Sequence, residues 1–186
     1  MEESKSLQTI QNLNKLGKGL SKIVFICCLV GAIGCIIGIA SVALIGTDEV
    51  LKIGGVSIRG LIEKEADMNI TTLYVAMFAW MVVCISEAVI SKTAEHYFSN
   101  ELAAGTPFTF EGAKEMLRLG IIVIAVPLGT TFACAVGVGI VSALVEGVDK
   151  IEISNGVSVT LGIMFIVMSV IFRYGAEIKS GNRNGQ

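Results

Sequence analysis

Charge is scarce in this chain. Asp, Glu, Lys and Arg together make up 16% of its 186 residues, against roughly 25% in ordinary soluble domains. Hydrophobic residues reach 53% before the 21 glycines are counted, and mean hydropathy is +0.76. Too little polar surface is left to cover a soluble globule of this size. That excludes a disordered chain and points to an integral membrane protein. The net charge of −2 leaves no basic footprint for DNA or RNA, so no nucleic-acid partner is expected. His96 is the only histidine, which excludes a His-rich metal site or a His-cluster sensor. Walker, nucleophile-elbow and zinc-protease motifs are missing. Gly137-Val138-Gly139 lies inside an apolar run rather than after a strand, so it is no nucleotide fingerprint. Cys27, Cys28, Cys35, Cys84 and Cys134 all fall in apolar runs. With none in a loop and none at zinc-ligand spacing from a histidine, they read as small packing residues. No metal, cofactor or catalytic residue is expected.

Long apolar runs are what the sequence does have. Ile23–Gly46 is 24 residues without a charge, and Ile70–Ile90 is 21 residues with one, Glu87. Leu119–Val145 is 27 uncharged residues, and Val157–Phe172 is 16. At about 1.5 Å per residue the first three cross a hydrocarbon core of ~30 Å. The fourth does so if it begins near Ile153 or if Arg173 snorkels. The reading is an all-α membrane protein with four transmembrane helices at 23–46, 70–90, 119–145 and 157–172. Ser41-Val42-Ala43 offers a rival signal-peptide cleavage site, but the first run is longer than the ~7–15 apolar residues of such a signal. Ten Lys and Arg residues flank the N-terminus, the middle loop and the C-terminus, and four lie in the two other loops. By that bias both termini are expected in the cytoplasm of a multi-pass cell-membrane protein.

Residues 1–22 form an N-terminal cytoplasmic segment, 23–178 the four-helix domain and 179–186 a polar tail. In the first, Leu7, Ile10, Leu13, Leu16 and Leu20 recur at helical spacing among lysines, the pattern of an amphipathic helix on a membrane surface. Two loops carry β-hairpin signals. In 50–58, β-prone runs flank Gly54-Gly55; in 150–159, alternating runs flank Asn155-Gly156. Short extracellular β-hairpin loops are therefore expected. The second competes with a helix starting at Val157, and that boundary stays open. Gly38-Ile39-Ala40-Ser41 parallels Gly139-Ile140-Val141-Ser142, and Lys52-Ile53 parallels Lys150-Ile151, at an offset near 100 residues. This suggests a tandem two-helix repeat, with chance similarity as the rival in so Gly/Ala/Val/Ile-rich a chain.

The middle loop, 91–118, is the most informative stretch. Helix two is expected to run on through Lys92, Glu95 and His96 to Phe98, until Gly105-Thr106-Pro107 stops it. Thr109 is placed to cap the next helix, with Glu111 favoured in its first turn by the helix dipole. Phe98-Ser99-Asn100-Glu101-Leu102, Gly105-Thr106-Pro107-Phe108-Thr109, Leu117-Arg118-Leu119-Gly120 and the tail Phe172-Arg173-Tyr174-Gly175-Ala176-Glu177-Ile178 resemble a bacterial four-pass family, the domain of unknown function 2975 family. Its members commonly continue into an acidic tail, whereas Lys179 and Arg183 make this one basic and polar. The resemblance implies the four-span layout and a regulatory or stress role. It supplies no catalytic residue.

Glu87 is the one acid within a span, and an ion pair with Arg173 or Arg118 is its expected use. Pro127 is a candidate helix kink, with Thr130 and Thr131 nearby to satisfy freed carbonyls. Gly31, Gly34, Gly38, Gly137 and Gly139 would allow close helix approach. Gly105, Thr106, Pro107, Phe108 and Thr109 form a candidate partner-binding loop. The leading expectation is a non-enzymatic regulatory, sensory or self-protection component embedded in the lipid bilayer and acting through a membrane protein partner. The alternative is an oligomeric transporter or channel subunit, a homo-oligomer.

Overall fold

A computed structural model describes residues 2–45, 70–106, 108–144 and 156–184. Four helices account for nearly all of them: α1 (Glu2–Ile45), α2 (Ile70–Ala104), α3 (Phe110–Leu144) and α4 (Gly156–Asn184). They contain four segments long and apolar enough to cross a membrane: Gln8–Ser41, Thr72–Ala104, Phe110–Ala143 and Val159–Gly181. The chain is thus all-helical among the described residues, with the layout of a multi-pass membrane protein.

The expected β-hairpins are not supported, since the described residues contain no strand. The loop at 50–58 lies outside them, as do 150–155. Gly156, Val157, Ser158 and Val159, expected in the second arm of the Asn-Gly hairpin, instead form the first turn of α4. The alternating Val-Ser-Val pattern runs directly into the apolar run after it. A helix satisfies every backbone group within one segment, as hydrocarbon demands. Glycine before such a run also suits a helix start.

Helix lengths exceed what a bilayer needs. The 35 residues of α2 extend about 52 Å, against a hydrocarbon core of ~30 Å. The apolar run 70–90 fills that thickness. Residues 91–104, with Lys92, Glu95, His96, Asn100 and Glu101, project beyond it. By the same measure 110–118 precede the membrane-crossing part of α3. The turn between the two is locally determined. Gly105 takes φ of +72°, and its N–H donates to the Glu101 carbonyl at 3.0 Å, a left-handed helix cap. Thr109 then caps α3, its Oγ1 accepting from the Gly112 N–H at 2.9 Å, with Glu111 in the first turn. Gly105→Val would force a β-branched residue into the left-handed region. We expect about 1–2 kcal/mol of destabilisation, read from thermal unfolding in detergent.

The chain divides into two compact units. The first comprises Met1–Cys27, Ser86–Gly129 and Asn155–Gln186. Its core is Tyr97, Met116, Leu119 and Val123, with Phe98, Phe165 and Phe172 packed around them. The helices α3 and α4 meet at two glycines. A Cβ on Gly120 would lie 2.9 Å from the Gly162 carbonyl oxygen, and one on Gly162 would lie 2.8 Å from that of Gly120. The first part of α1 is continuous with the apolar run after it and is tied to α2: Lys18 Nζ donates to Ser99 Oγ at 3.0 Å, and Gly17 faces the Phe98 ring. Lys92 Nζ sits 5.3 Å from the centre of the Phe25 ring, a cation–π geometry. Leu13, Leu16 and Leu20 remain exposed, as suits an apolar stripe turned toward lipid.

The second unit comprises Cys28–Ile85 and Thr130–Ser154. Here a Cβ on Gly31 would come within 3.1 Å of Cys84 Sγ, and one on Gly38 within 3.1 Å of Met77 Cε. Gly34, Gly137 and Gly139 have open space where a Cβ would stand. An apolar groove of about 330 Å³ is lined by Tyr74, Phe78, Ala79, Cys134 and Val141. Large apolar side chains such as Val30, Trp80 and Phe132 are exposed, an arrangement that costs little when the surrounding solvent is hydrocarbon.

Candidate functional site

The polar chemistry of the first unit gathers at the end of α2 and the start of α3. Along α2, Ile90, Ala94, Tyr97 and Glu101 recur at helical spacing, so Glu101 stands on the stripe that faces the core. Its residue exposure is 2%. Across from it on α3, Glu115 lies one residue before the buried Met116. Asn100 Nδ2 donates to Glu115 Oε1 at 2.7 Å and lies 3.2 Å from His96 Nε2. One carboxylate oxygen of each acid, Glu101 Oε2 and Glu115 Oε2, is buried without a hydrogen-bond partner.

Two grooves flank this pair. One, of about 380 Å³, is lined by Asn100, Glu101, Ala104, Thr109, Glu111 and Glu115. It carries three acids and no basic residue. The other, about 330 Å³, is lined by Lys92, His96, Tyr97, Glu115 and Arg118. Glu115 therefore separates an acidic groove from a basic one. Burial, reinforced by the Glu115 charge, pushes the Glu101 carboxyl up to about 7. Burial, together with both carboxylates, also raises the Tyr97 phenol. The Lys92 ammonium, bonded to Glu95 at 2.9 Å, holds that carboxyl below its ordinary range. Among the described residues no group of three His, Cys, Asp or Glu side chains is placed to hold a metal ion.

The expected partner loop borders the acidic groove. Gly105 and Thr106 form the bend after α2, and the Phe108 N–H donates to Thr106 Oγ1 at 3.3 Å. Pro107 lies outside the described residues. Phe108 stacks edge-on against Phe172, centroids 5.7 Å apart, and touches the Gly175 position, yet keeps 39% exposure. Arg173 Nε meets Glu177 Oε1 at 3.3 Å, both exposed, and among the described residues no ion pair joins Glu87 to Arg118 or Arg173. Pro127 is buried within α3, which runs through it as helix. All five cysteines are free thiols.

Glu115 is not among the residues that spacing or motif singled out, and Glu101 enters only within the Phe98–Leu102 motif of the family resemblance, with no role of its own. The available signal was the stripe 90, 94, 97, 101, which puts a carboxylate where an apolar residue belongs. Comparison of the chain with protein families, curated proteins and solved structures finds no match.

Proposed function

We propose that this chain is a non-enzymatic four-span protein of a bacterial cytoplasmic membrane. Both termini and the α2–α3 turn face the cytoplasm, and a protein partner binds at that turn. The role is that of a regulatory, sensory or self-protection component. The carrying observation is the turn itself. Phe108 and Phe110, 39% and 54% exposed, flank a polar bend beside two carboxylates that each keep one buried oxygen without a partner. Exposed aromatics next to a satisfiable polar groove are the composition of a binding anchor. The Lys and Arg asymmetry supports the orientation. The resemblance to the domain of unknown function 2975 family supports the bacterial membrane and the regulatory role.

Purification in mild detergent, with native mass and identification of co-purifying chains, tests this reading. A stoichiometric different protein is expected. Phe108→Ala should reduce its recovery about tenfold, the loss of ~1.4 kcal/mol of anchoring. A clean homo-oligomer that conducts ions in liposomes, insensitive to Phe108→Ala, would overturn it in favour of a channel or transporter subunit.

A further inference from the structure

We propose that the groove bounded by Glu101, Glu111 and Glu115 is a binding site for a guanidinium group. This deepens the partner reading above, on which it rests in part, by naming the chemistry recognised at the turn.

The site is built from both helices. Glu101 comes from the last turn of α2, Glu115 from the second turn of α3, and Glu111 stands at the rim, where it is exposed. The α2–α3 turn fixes their spacing through the Gly105 cap and the Thr109 cap. Glu101 and Glu115 each hold one oxygen with no donor, and burying a polar group in that state is costly. The groove supplies no cation of its own, since no Lys, Arg or His lines it.

Three observations decide what kind of donor it takes. First, no three acidic, His or Cys side chains converge on one point among the described residues, so a compact metal ion would lack ligands. Second, a groove of about 380 Å³ is far larger than a bare ion and takes a planar group with its stem. Third, the unpaired oxygens, both buried, sit on two separate carboxylates. A guanidinium presents five donors in a rigid fork and can bridge two acceptors, whereas an ammonium is a point charge. Asn100 holds the other oxygen of Glu115 at 2.7 Å, so that carboxylate is oriented before the ligand arrives. Burial and the Glu115 charge hold the Glu101 carboxyl up near 7; a guanidinium beside it favours the ionised form, so affinity depends on pH. The groups facing Glu101 are Glu115 from α3 and Tyr97 on its own helix. Glu111 stands at the groove rim.

The test is calorimetric titration of the full chain, in lauryl maltoside or in nanodiscs, with agmatine as the probe. Butylamine and Mn²⁺ serve as comparators. Agmatine is expected to bind, with butylamine at least tenfold weaker and Mn²⁺ without effect on the agmatine isotherm. Glu101→Gln and Glu115→Gln, both isosteric, should each weaken agmatine at least tenfold, while Glu111→Gln should change it no more than about threefold. Wild-type affinity should drop about tenfold from pH 8 to pH 6, which needs no variant to fold. An N-acetyl-Leu-Arg-Leu-amide peptide separates the sources: tighter binding than agmatine identifies a partner's arginine, weaker binding a free guanidine. Either supports the site. Equal agmatine binding by wild type and Glu101→Gln, or Mn²⁺ competing with agmatine, overturns it. Agmatine binding without any co-purifying protein would keep the site and remove the partner. A stoichiometric partner without agmatine binding would do the reverse.

Discussion

Gly162→Leu should abolish the folded state or leave only a small fraction of it in detergent extracts. The cause is a backbone contact rather than a side-chain one. A Cβ at position 162 would run into Ile124 Cγ1 and come within 2.8 Å of the Gly120 carbonyl oxygen, while one at 120 would meet the Gly162 carbonyl and the Ile166 nitrogen. Side chains can change rotamer to make room, but two helix backbones must separate. Separation would open the neighbouring core of Leu119 and Val123, which are 2% and 4% exposed. Gly162→Ala is the milder probe, at about 1–3 kcal/mol of overpacking. Gly139→Ala is the control, because nothing lies within 4 Å of its Cβ position. It should be neutral, or up to about 1 kcal/mol stabilising through helix propensity. Thermal unfolding in one detergent measures all three. Equal midpoints for Gly162→Ala and Gly139→Ala would show that α3 and α4 do not meet at these glycines.

The same glycines show where sequence reasoning stops. Gly34 and Gly38 have the spacing of a helix-packing motif, yet only Gly38, with Gly31, faces a neighbour, while Gly34 has open space. Gly120 and Gly162 are isolated glycines in apolar runs, and nothing in either run says that the other lies opposite. Spacing within one helix reports a face; it does not report what that face meets. Local signals fared better. Apolar run length was enough to place four membrane-length helices, because hydrocarbon leaves the backbone few alternatives. Gly105 and Thr109 marked the two ends of the α2–α3 turn, because caps act over three or four residues. The Asn155-Gly156 signal failed for a related reason. A turn dipeptide says that the chain changes course, and the residues beyond it decide between strand and helix. Here those residues are the apolar run of α4.

The charged residues divide along the same line. Glu87 drew attention because it lies alone in an apolar run, and the pairing expected for it with Arg118 or Arg173 is not among the ion pairs of the described residues. Glu101 and Glu115 looked ordinary because each sits in a polar stretch. Their character is tertiary: it arises when α2 and α3 fold back on each other and bury one oxygen from each.

That burial carries the last expected result. The fold should lose stability as pH rises from about 5 to 8, and Glu101→Gln should remove most of that loss. Glu101 titrates near 7 in the folded chain instead of an ordinary 4.5. Between those values the folded chain keeps a proton that the unfolded chain has released. Raising the pH through this window therefore favours unfolding. The penalty is absent below about 4.5 and fully present above about 7. Glutamine keeps the shape and cannot ionise, so at pH 8 the variant should be more stable by about 1–3 kcal/mol, the cost of a buried charged group left unsatisfied. At pH 5, where the wild-type carboxyl is mostly protonated, the difference should shrink toward zero. Unfolding midpoints of both proteins at the two pH values give the answer in four measurements. An advantage for Glu101→Gln that is the same at pH 5 and pH 8 would mean that the gain comes from packing and not from the removal of a buried charge. If the pH-dependent gain is found and 1 mM agmatine at pH 8 raises the wild-type midpoint but not that of Glu101→Gln, the carboxylate that weakens the fold is the one that binds the ligand.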